Sequence, residues 1–294
     1  MDKVVFRLKK KVRYKMEKLN TERFAVFYGV TDVTEIVYEK YVQNGFLKLP
    51  ACAEDRAVIL NGALMFFENN KEIALNLNKA LPYRRVLSNI QSNRSIDFGS
   101  FSEEFPEQLL AVKYIRPSAV VLEIGGNIGR NSIVIASLLD NEENLVTLES
   151  DPESVGKLIL NRNKNAMSFH IEPSALSKRK LIQKGWETIP SEVVQDGYFP
   201  VSIISFDELK TKYNKNFDTL VADCEGALYY ILKDEPKLLE NIHTVIIEND
   251  FSNAKHKTFV DNVMRKEGLQ VFFRKEGGWG PCQCCFYEVW CRCT

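Results

Sequence analysis

Residues 119–131 read Ala-Val-Val-Leu-Glu-Ile-Gly-Gly-Asn-Ile-Gly-Arg-Asn, and this stretch decides the fold. It opens with the apolar run from Val120 to Ile124, which is typical of a parallel strand buried on both faces. Glycines then break the strand, and the apolar pattern from Ser132 to Leu139 predicts a helix. Strand, glycine turn and helix in this order predict a nucleotide-binding α/β unit, with the ligand at the carboxyl end of the strand.

The glycine spacing argues against a dinucleotide. The dinucleotide fingerprint, counted from Gly125, requires glycine at the positions that Asn127 and Arg130 occupy. An acid, Glu123, stands inside the motif and suits a ligand with positive charge, such as an amino acid moiety beside a sulfonium. Taken alone, the glycine-rich turn is as typical of an unrelated α/β protein as of a nucleotide-binding one.

The bulk composition is that of an ordinary globular protein. The chain has 294 residues, 45% hydrophobic and 27% charged, with a net charge of zero. This length allows one large domain or one domain with an appendage, and the charge gives no general attraction to nucleic acid. No apolar run reaches the ~18 residues that span a bilayer. We therefore expect a cytoplasmic protein with no transmembrane segment and no nucleic-acid partner.

The first part of the chain predicts three segments. Residues 1–20 are basic, and Val5, Leu8, Val12, Met16 and Leu19 recur at helical spacing, which predicts an amphipathic helix. This helix either makes a weak contact with an anionic membrane surface or nucleic acid, or lies on its own domain. Residues 21–81 predict a small strand-rich accessory module that binds a partner or a glycan, or mediates formation of a homo-oligomer. Residues 82–118 are either a lead-in segment over the cofactor cleft or a linker.

Residues 119–294 predict a mostly parallel sheet that ends in an antiparallel hairpin. A second strand, Leu145–Leu148, ends in Glu149, and an acid at this strand tip can accept both hydroxyl protons of a ribose. Two later strands end in the acids Asp223 and Glu248. Residues 178–200 read as irregular, with Trp186 as a packing residue. The hairpin is predicted around residues 277–281.

Several segments in this region match a known family in order. They are Glu123–Gly129, Glu149 with Asp151-Pro152, Asn161 and Asn165, Ala175-Leu176-Ser177, Asp223–Ala227, and Ile246-Ile247-Glu248. Residues 119–250 thereby resemble the FkbM family of S-adenosylmethionine-dependent methyltransferases. Three departures are visible: Gly126 replaces the usual alanine, Ser150 precedes Asp151-Pro152, and Tyr229-Tyr230 replaces an acid often found there.

The resemblance implies a class I methyltransferase fold, S-adenosylmethionine as cofactor, and O-methyl transfer to a hydroxyl of a sugar or sugar-containing small molecule. Two alternatives are a nicotinamide-dependent oxidoreductase and a non-catalytic binding protein that kept the cofactor fold. The predicted cofactor-binding residues are Glu123, Gly125, Gly126, Asn127, Gly129, Glu149, Ser150, Ala175, Leu176 and Asp223. The predicted catalytic residues are Asp223, Glu248 and Glu225.

The clustered acids at the strand ends have three candidate roles. One of them, with Asp223 favoured, is a general base whose pKa is raised by like-charged neighbours. Alternatively they chelate a divalent cation that orients the acceptor's hydroxyls. In the third interpretation they are structural, with Glu225 capping the helix that follows Gly226.

The seven cysteines are an odd number and do not predict a disulfide framework, which favours a reducing compartment. Cys282, Cys284, Cys285, Cys291 and Cys293 cluster near the C-terminus. Their spacing fits the paired cysteines of zinc sites poorly. We therefore predict buried, reduced thiols and no metal.

Overall fold

The computed structural model describes residues 4–8, 12–19, 22–27, 83–84 and 86–292. The chain divides into two compact units, Met1–Arg85 and Val86–Thr294. In the first unit, β1 (Val4–Leu8), β2 (Val12–Leu19) and β3 (Glu22–Phe27) form an antiparallel sheet in the order β1-β2-β3. The predicted helix over residues 1–20 is therefore wrong for the described positions. The predicted strands and turns between residues 28 and 81 lie outside the described residues.

The second unit alternates strands and helices. Its strands are β4 (Val121–Ile124), β5 (Leu145–Leu148), β6 (His170–Glu172), β7 (Ala175–Leu176), β8 (Leu181–Lys184), β9 (Glu187–Pro190), β10 (Phe199–Val201), β11 (Ile203–Ile204), β12 (Thr219–Ala222), β13 (Thr244–Glu248), β14 (Leu269–Lys275) and β15 (Tyr287–Arg292). Its helices are α1 (86–93), α2 (Phe105–Tyr114), α3 (Arg130–Leu138), α4 (Pro152–Lys164), α5 (Phe206–Tyr213), α6 (Leu228–Asp234) and α7 (Ala254–Lys266), with short 3-10 helices at Glu142–Asn144 and Gly280–Cys285. None of the helices described is long and apolar enough to cross a membrane.

A seven-stranded sheet forms the centre of this unit, in the order β14-β15-β13-β12-β4-β5-β6. The strands from β13 through β6 are parallel to their neighbours, and β15 runs antiparallel to both β13 and β14. The predicted parallel sheet with a C-terminal antiparallel hairpin is confirmed.

The register of the sheet brings four strand ends side by side. Ile124 of β4 pairs with Leu148 of β5 and with Ala222 of β12, and Ala222 pairs with Ile247 of β13. The chain leaves β4 toward β5 on one side, while β12 lies on the other side. This reversal of strand order opens a crevice, and ligands of open α/β sheets bind there.

Both faces of the central strands are covered by apolar side chains, as the continuous apolar runs predict. Leu122 and Leu220 pack with α5, α6 and α7 on one face, through residues such as Leu209, Leu232 and Val260. Val121 and Val221 pack on the opposite face, against α2 and α3. The same alternation directs the side chain of Glu123 to the face of α2 and α3.

Residues 181–201 form a small antiparallel sheet in the order β10-β8-β9, where the sequence predicted irregular structure. The turn between β8 and β9 carries Trp186, which is 64% exposed, so its predicted packing role is wrong. β7 and β11 pair in parallel beside this sheet. Together these short strands form one wall beside the carboxyl end of β5.

Candidate functional site

A cleft lies at the carboxyl ends of β4, β5 and β12 and has about 960 Å³ of empty space, part of it open to solvent. We call it the strand-end cleft. Seven of the predicted cofactor residues line it: Gly125, Asn127, Glu149, Ser150, Ala175, Leu176 and Asp223. Apolar side chains, including Ile124, Leu148 and Ile231, form much of its remaining wall. A mostly apolar cleft with a few converging polar groups is the usual form of a small-molecule site.

The glycine turn is required by close packing between strand ends. Gly125 has a φ of +93°, and a Cβ there would lie 1.6 Å from the main-chain oxygen of Asp223. At Gly126, a Cβ would lie 2.3 Å from Oγ1 of Thr147 on β5. The side chain of Thr147 therefore fills the space that a side chain at position 126 would need.

Glu149 follows β5 and accepts a hydrogen bond from the glycine turn that follows β4. Its Oε2 accepts the main-chain N–H of Asn127 at 2.8 Å, and its Oε1 accepts those of Ser150 and Asp151 at 2.7 and 2.8 Å. Burial raises the pKa of this carboxyl despite these hydrogen bonds. Because each carboxylate oxygen has two lone pairs, Glu149 keeps acceptor capacity for ligand hydroxyls.

Asn161 on α4 and Asn165, the C-cap residue of the same helix, connect the lead-in segment to the glycine turn. Oδ1 of Asn161 accepts the N–H of Asp97 at 2.8 Å, and its Nδ2 donates to the carbonyl of Ile128 at 2.8 Å. Asn165 exchanges two hydrogen bonds with the main chain of Ser95. The paired asparagines therefore act structurally, by joining residues 95–98 to the loop that shapes the strand-end cleft.

A second, narrow cavity adjoins the strand-end cleft beneath α2 and has a volume of about 10 Å³, which is room for roughly one water molecule. We call it the acidic chamber. Five carboxyl groups line it, together with the hydroxyl-bearing Tyr287 of β15: those of Glu104, Glu107, Glu123, Asp223 and Glu248. Gly125 and Asp223 line both cavities, so the two are neighbours across these residues.

Burial favours the protonated form of Glu104, Glu123, Asp223 and Glu248. It raises the pKa of Glu123 to about 7, although hydrogen bonds from Ser132 and other neighbours oppose the shift. Burial raises the pKa of Asp223 well above its usual range, and the negative charges of Glu107 and Glu104 add to it. Burial, a hydrogen bond with Glu107 and the charge of Asp223 raise the pKa of Glu248 to about 11. Crowded carboxyl groups behave in this way because they cannot all ionise together.

The structure separates the predicted site residues into groups. Glu123 and Gly126 line the acidic chamber rather than the strand-end cleft, and Glu248 also lies on the chamber side. Gly129 lines neither cavity and occupies the N-cap position of α3. Glu225 is exposed at the edge of the strand-end cleft.

The predicted capping role of Glu225 is not what the structure shows. Helix α6 begins at Leu228, and the N–H of Gly226 donates instead to Oδ1 of Asp250 at 2.6 Å. Asp250 is 6% exposed, and burial with the charge of Glu225 raises its pKa to about 7. Asp250, which follows β13, therefore holds the main chain in place at Gly226, just after the end of β12.

Sequence reasoning missed Glu104, Glu107 and Tyr287 as members of the site. The acidic residues Glu103, Glu104 and Glu107 around the start of α2 were the available signal, but only the fold shows that α2 lies over the strand ends. Arg130 pairs with Glu104 at 2.6 Å and also with Glu103. Tyr287 comes from the antiparallel strand β15, whose contact with β13 no local pattern specifies.

The cysteines near the C-terminus differ in burial. Cys282 is buried and Cys284 is exposed, so burial does not extend to the whole cluster, and the cysteines at positions 224, 282, 284 and 285 form no disulfide. Burial raises the pKa of Cys282 and that of Cys285, the latter to about 11. Within the described part of the chain, no group of three or more His, Cys, Asp or Glu side chains is arranged to hold a metal ion.

The strand order, the antiparallel β15 and the position of the strand-end cleft define a Rossmann-like fold of the class I methyltransferase type. No protein-family model matches the chain, and no curated protein matches it. Membership of the FkbM family stays a prediction from the motifs.

Three solved methyltransferases give the scale of the structural similarity. A ribosomal protein L11 methylase from Lactobacillus delbrueckii subsp. bulgaricus has 12% identity and a TM-score of 0.40, covering 66% of this chain and 79% of its own. An O-methyltransferase from Bacillus cereus in complex with SAH has 14% identity and a TM-score of 0.37, with coverages of 70% and 89%. The M. jannaschii tRNA m1G37 methyltransferase has 12% identity and a TM-score of 0.40, with coverages of 67% and 51%. Similarity at this level decides neither the activity nor the substrate of this chain.

Proposed function

We propose that this chain is an S-adenosylmethionine-dependent O-methyltransferase acting on a hydroxyl of a sugar or sugar-containing small molecule. The observation that carries the proposal is the strand-end cleft, which joins a glycine turn after β4 to an acid after β5 at the reversal of strand order. The sugar acceptor rests on the FkbM-like motifs alone.

The residues of the strand-end cleft fit this cofactor. Glu149 keeps acceptor capacity on Oε2 for a ribose hydroxyl, and Gly125 lets the main chain approach a ligand without a side chain. Ala175 and Leu176 offer an apolar surface next to Ser150 for a planar base. When bound, S-adenosylmethionine supplies an electrophilic methyl group on a positively charged sulfonium.

Asp223 is our proposed general base. It lines both the strand-end cleft and the acidic chamber, so its carboxyl lies where a ligand in the cleft meets the buried acids. As an acceptor hydroxyl attacks, Asp223 accepts its proton, and the strand ends hold the acceptor in line. Its raised pKa means that the ionised, basic form becomes more populated as pH rises.

Ligand-dependent thermal stabilisation tests the class of protein. S-adenosylhomocysteine at ~100 times its dissociation constant should stabilise the fold by about 2.7 kcal/mol, and NAD should not. Stabilisation by NAD alone would instead support an oxidoreductase. Stabilisation by neither compound would support a binding protein that kept only the fold.

The acceptor is identified by activity rather than by binding. Screening sugars, nucleotide sugars and glycolipids with methyl-labelled S-adenosylmethionine should transfer label to a hydroxylated acceptor. If the chain binds S-adenosylhomocysteine but labels only nitrogen atoms or nucleic acid in a wider panel, the O-methyl and sugar parts of the proposal are wrong.

A further inference from the structure

The acidic chamber contains more carboxyl groups than a single general base requires. Glu107 is 7% exposed, and its Oε2 is buried without a hydrogen-bond partner. The same side chain forms hydrogen bonds with Glu248 and with Tyr287. An unpaired carboxyl oxygen that lines a buried cavity is costly unless a ligand or a proton compensates it.

The contact between Glu107 and Glu248 fixes a proton at this place. Two carboxyl groups can hydrogen-bond to each other only if at least one of them is protonated. Burial and the surrounding negative charge hold the proton there well above the pH at which an exposed carboxyl releases it. With one proton between them, the two carboxyl groups carry a single negative charge, and a second negative charge appears when that proton leaves.

Acidic groups face the pair of Glu107 and Glu248 from almost every element around it. Glu104 lies at the start of α2, Glu123 on β4, Asp223 after β12, Asp250 after β13, and the phenol of Tyr287 on β15. Arg130 of α3 is already bonded to Glu104 and Glu103, so it neutralises only that edge of the acidic chamber. A positive charge near Asp223 thus finds several acids and little competing cationic charge.

We propose that the acidic chamber senses positive charge in the strand-end cleft: a ligand with a sulfonium centre binds with release of the proton that Glu107 and Glu248 share, whereas its neutral thioether binds with that proton retained. The O–H bond of the carboxyl pair breaks, and the proton passes to solvent. The proposal rests on the proposed function. It adds a means by which the site distinguishes the charged methyl donor from the neutral product. The ligand brings one positive charge into the site and the proton takes one away, so the total charge of the site stays constant.

Calorimetry on the wild-type chain tests this without an acceptor. S-adenosylmethionine and S-adenosylhomocysteine differ at the site only by the methyl group and the sulfonium charge. Titrations between pH 6.5 and 8.5, in phosphate and in Tris, measure the protons released on binding. We expect the affinity for S-adenosylmethionine to rise with pH, by at most about tenfold per pH unit for one proton, with little change for S-adenosylhomocysteine.

The variant Glu107→Gln keeps the size of the side chain but removes one titratable group from the pair. Proton release on binding S-adenosylmethionine should then decrease, because Glu248 loses its hydrogen-bond partner and holds its proton less firmly before the ligand binds. The variant Glu153→Gln, which changes an exposed carboxyl on α4, should behave as wild type. If the wild type binds both ligands with no difference in pH dependence or proton release, the charge-sensing inference is wrong and the proposed cofactor stands. If neither ligand binds, the proposed function itself fails.

Discussion

Glu149 shows how one side chain can serve both the fold and a ligand. Its two oxygens hold three main-chain N–H groups of the surrounding loops, and the residue still lines the strand-end cleft. The sequence predicts its position, since an acid follows the second apolar strand at the expected distance. It does not show the hydrogen bonds to the glycine turn, which depend on how the two strand ends meet.

The variant Glu149→Gln tests the ligand role with the least change in shape. An amide oxygen accepts from ribose hydroxyls less strongly than a carboxylate, so affinity for S-adenosylhomocysteine should fall ~10-fold or more. Isothermal calorimetry measures this loss. Glu153→Gln serves as the control, because Glu153 is exposed and pairs only with Lys157 in its own helix. Equal affinity in wild type and Glu149→Gln would remove the ribose assignment.

Asp223→Asn tests the proposed general base. The asparagine keeps the shape of the side chain and cannot accept the acceptor's proton, so turnover should fall ~100-fold or more. Binding of S-adenosylhomocysteine should change little. In the wild type, turnover should increase with pH as Asp223 ionises, because its pKa is raised. Near-normal turnover in the variant would transfer the role to Glu248, its neighbour in the acidic chamber.

Elements buried in the central sheet are the part of the fold that the sequence predicts best. The predicted strand Leu145–Leu148 agrees with the structure in both bounds. Continuous apolar runs predict such elements because both faces of a parallel sheet are covered. The acids that follow these strands are predicted for the same reason.

Elements outside the central sheet were predicted less well, for two physical reasons. Residues 12–19 read Val-Arg-Tyr-Lys-Met-Glu-Lys-Leu, which also largely alternates apolar and charged positions. The segment therefore fits both the helical and the strand period, and its pairing with β1 and β3 determines that it forms a strand. Residues 181–201 form a small sheet whose strands have only three or four residues, so no strand is long enough to show a periodic pattern. The acidic chamber was missed in part because α2 and β15 contribute to it from distant positions.

The hydrogen bonds of Asn161 join α4 to the lead-in segment and to the glycine turn, so losing them should destabilise the fold. Asn161 is fully buried, and its side chain serves Asp97, Phe98 and Ile128. Asn161→Ala leaves two N–H groups and a carbonyl without this partner, which should cost at least ~2 kcal/mol of the free energy of unfolding. Chemical denaturation measures the loss.

Asn163→Ala is the matched control on the same helix. Asn163 is exposed and its side chain accepts only from neighbouring Arg162. Its effect should lie within about 0.5 kcal/mol of zero. If the two variants lose equal stability, the buried asparagine does not hold the lead-in segment to the glycine turn.

At the scale of the whole molecule, the buried acids should give the fold an unusual dependence on pH. Folding raises the pKa of Glu123 from 4.5 to about 7 and that of Asp250 from 3.8 to about 7. The folded state then binds more protons than the unfolded chain across this window, so the free energy of unfolding should fall as pH rises from about 4.5 to 7. Paired acids with lowered pKa, such as Glu172 and Glu288, act in the opposite direction, below that window.

Glu123→Gln isolates the contribution of one buried acid that lies outside the strand-end cleft. Glu123 is 2% exposed and accepts from Ser132 at 2.5 Å and from Asn131 at 3.2 Å, and glutamine has the shape of the protonated acid. At 1.36 kcal/mol per pKa unit, ionising Glu123 should destabilise the wild type by roughly 3 kcal/mol by pH 8. Urea denaturation should therefore show similar stabilities near pH 5 and a more stable variant at pH 8. A variant that is less stable than the wild type at both pH values would show that the ionised carboxylate is the form that this fold accommodates.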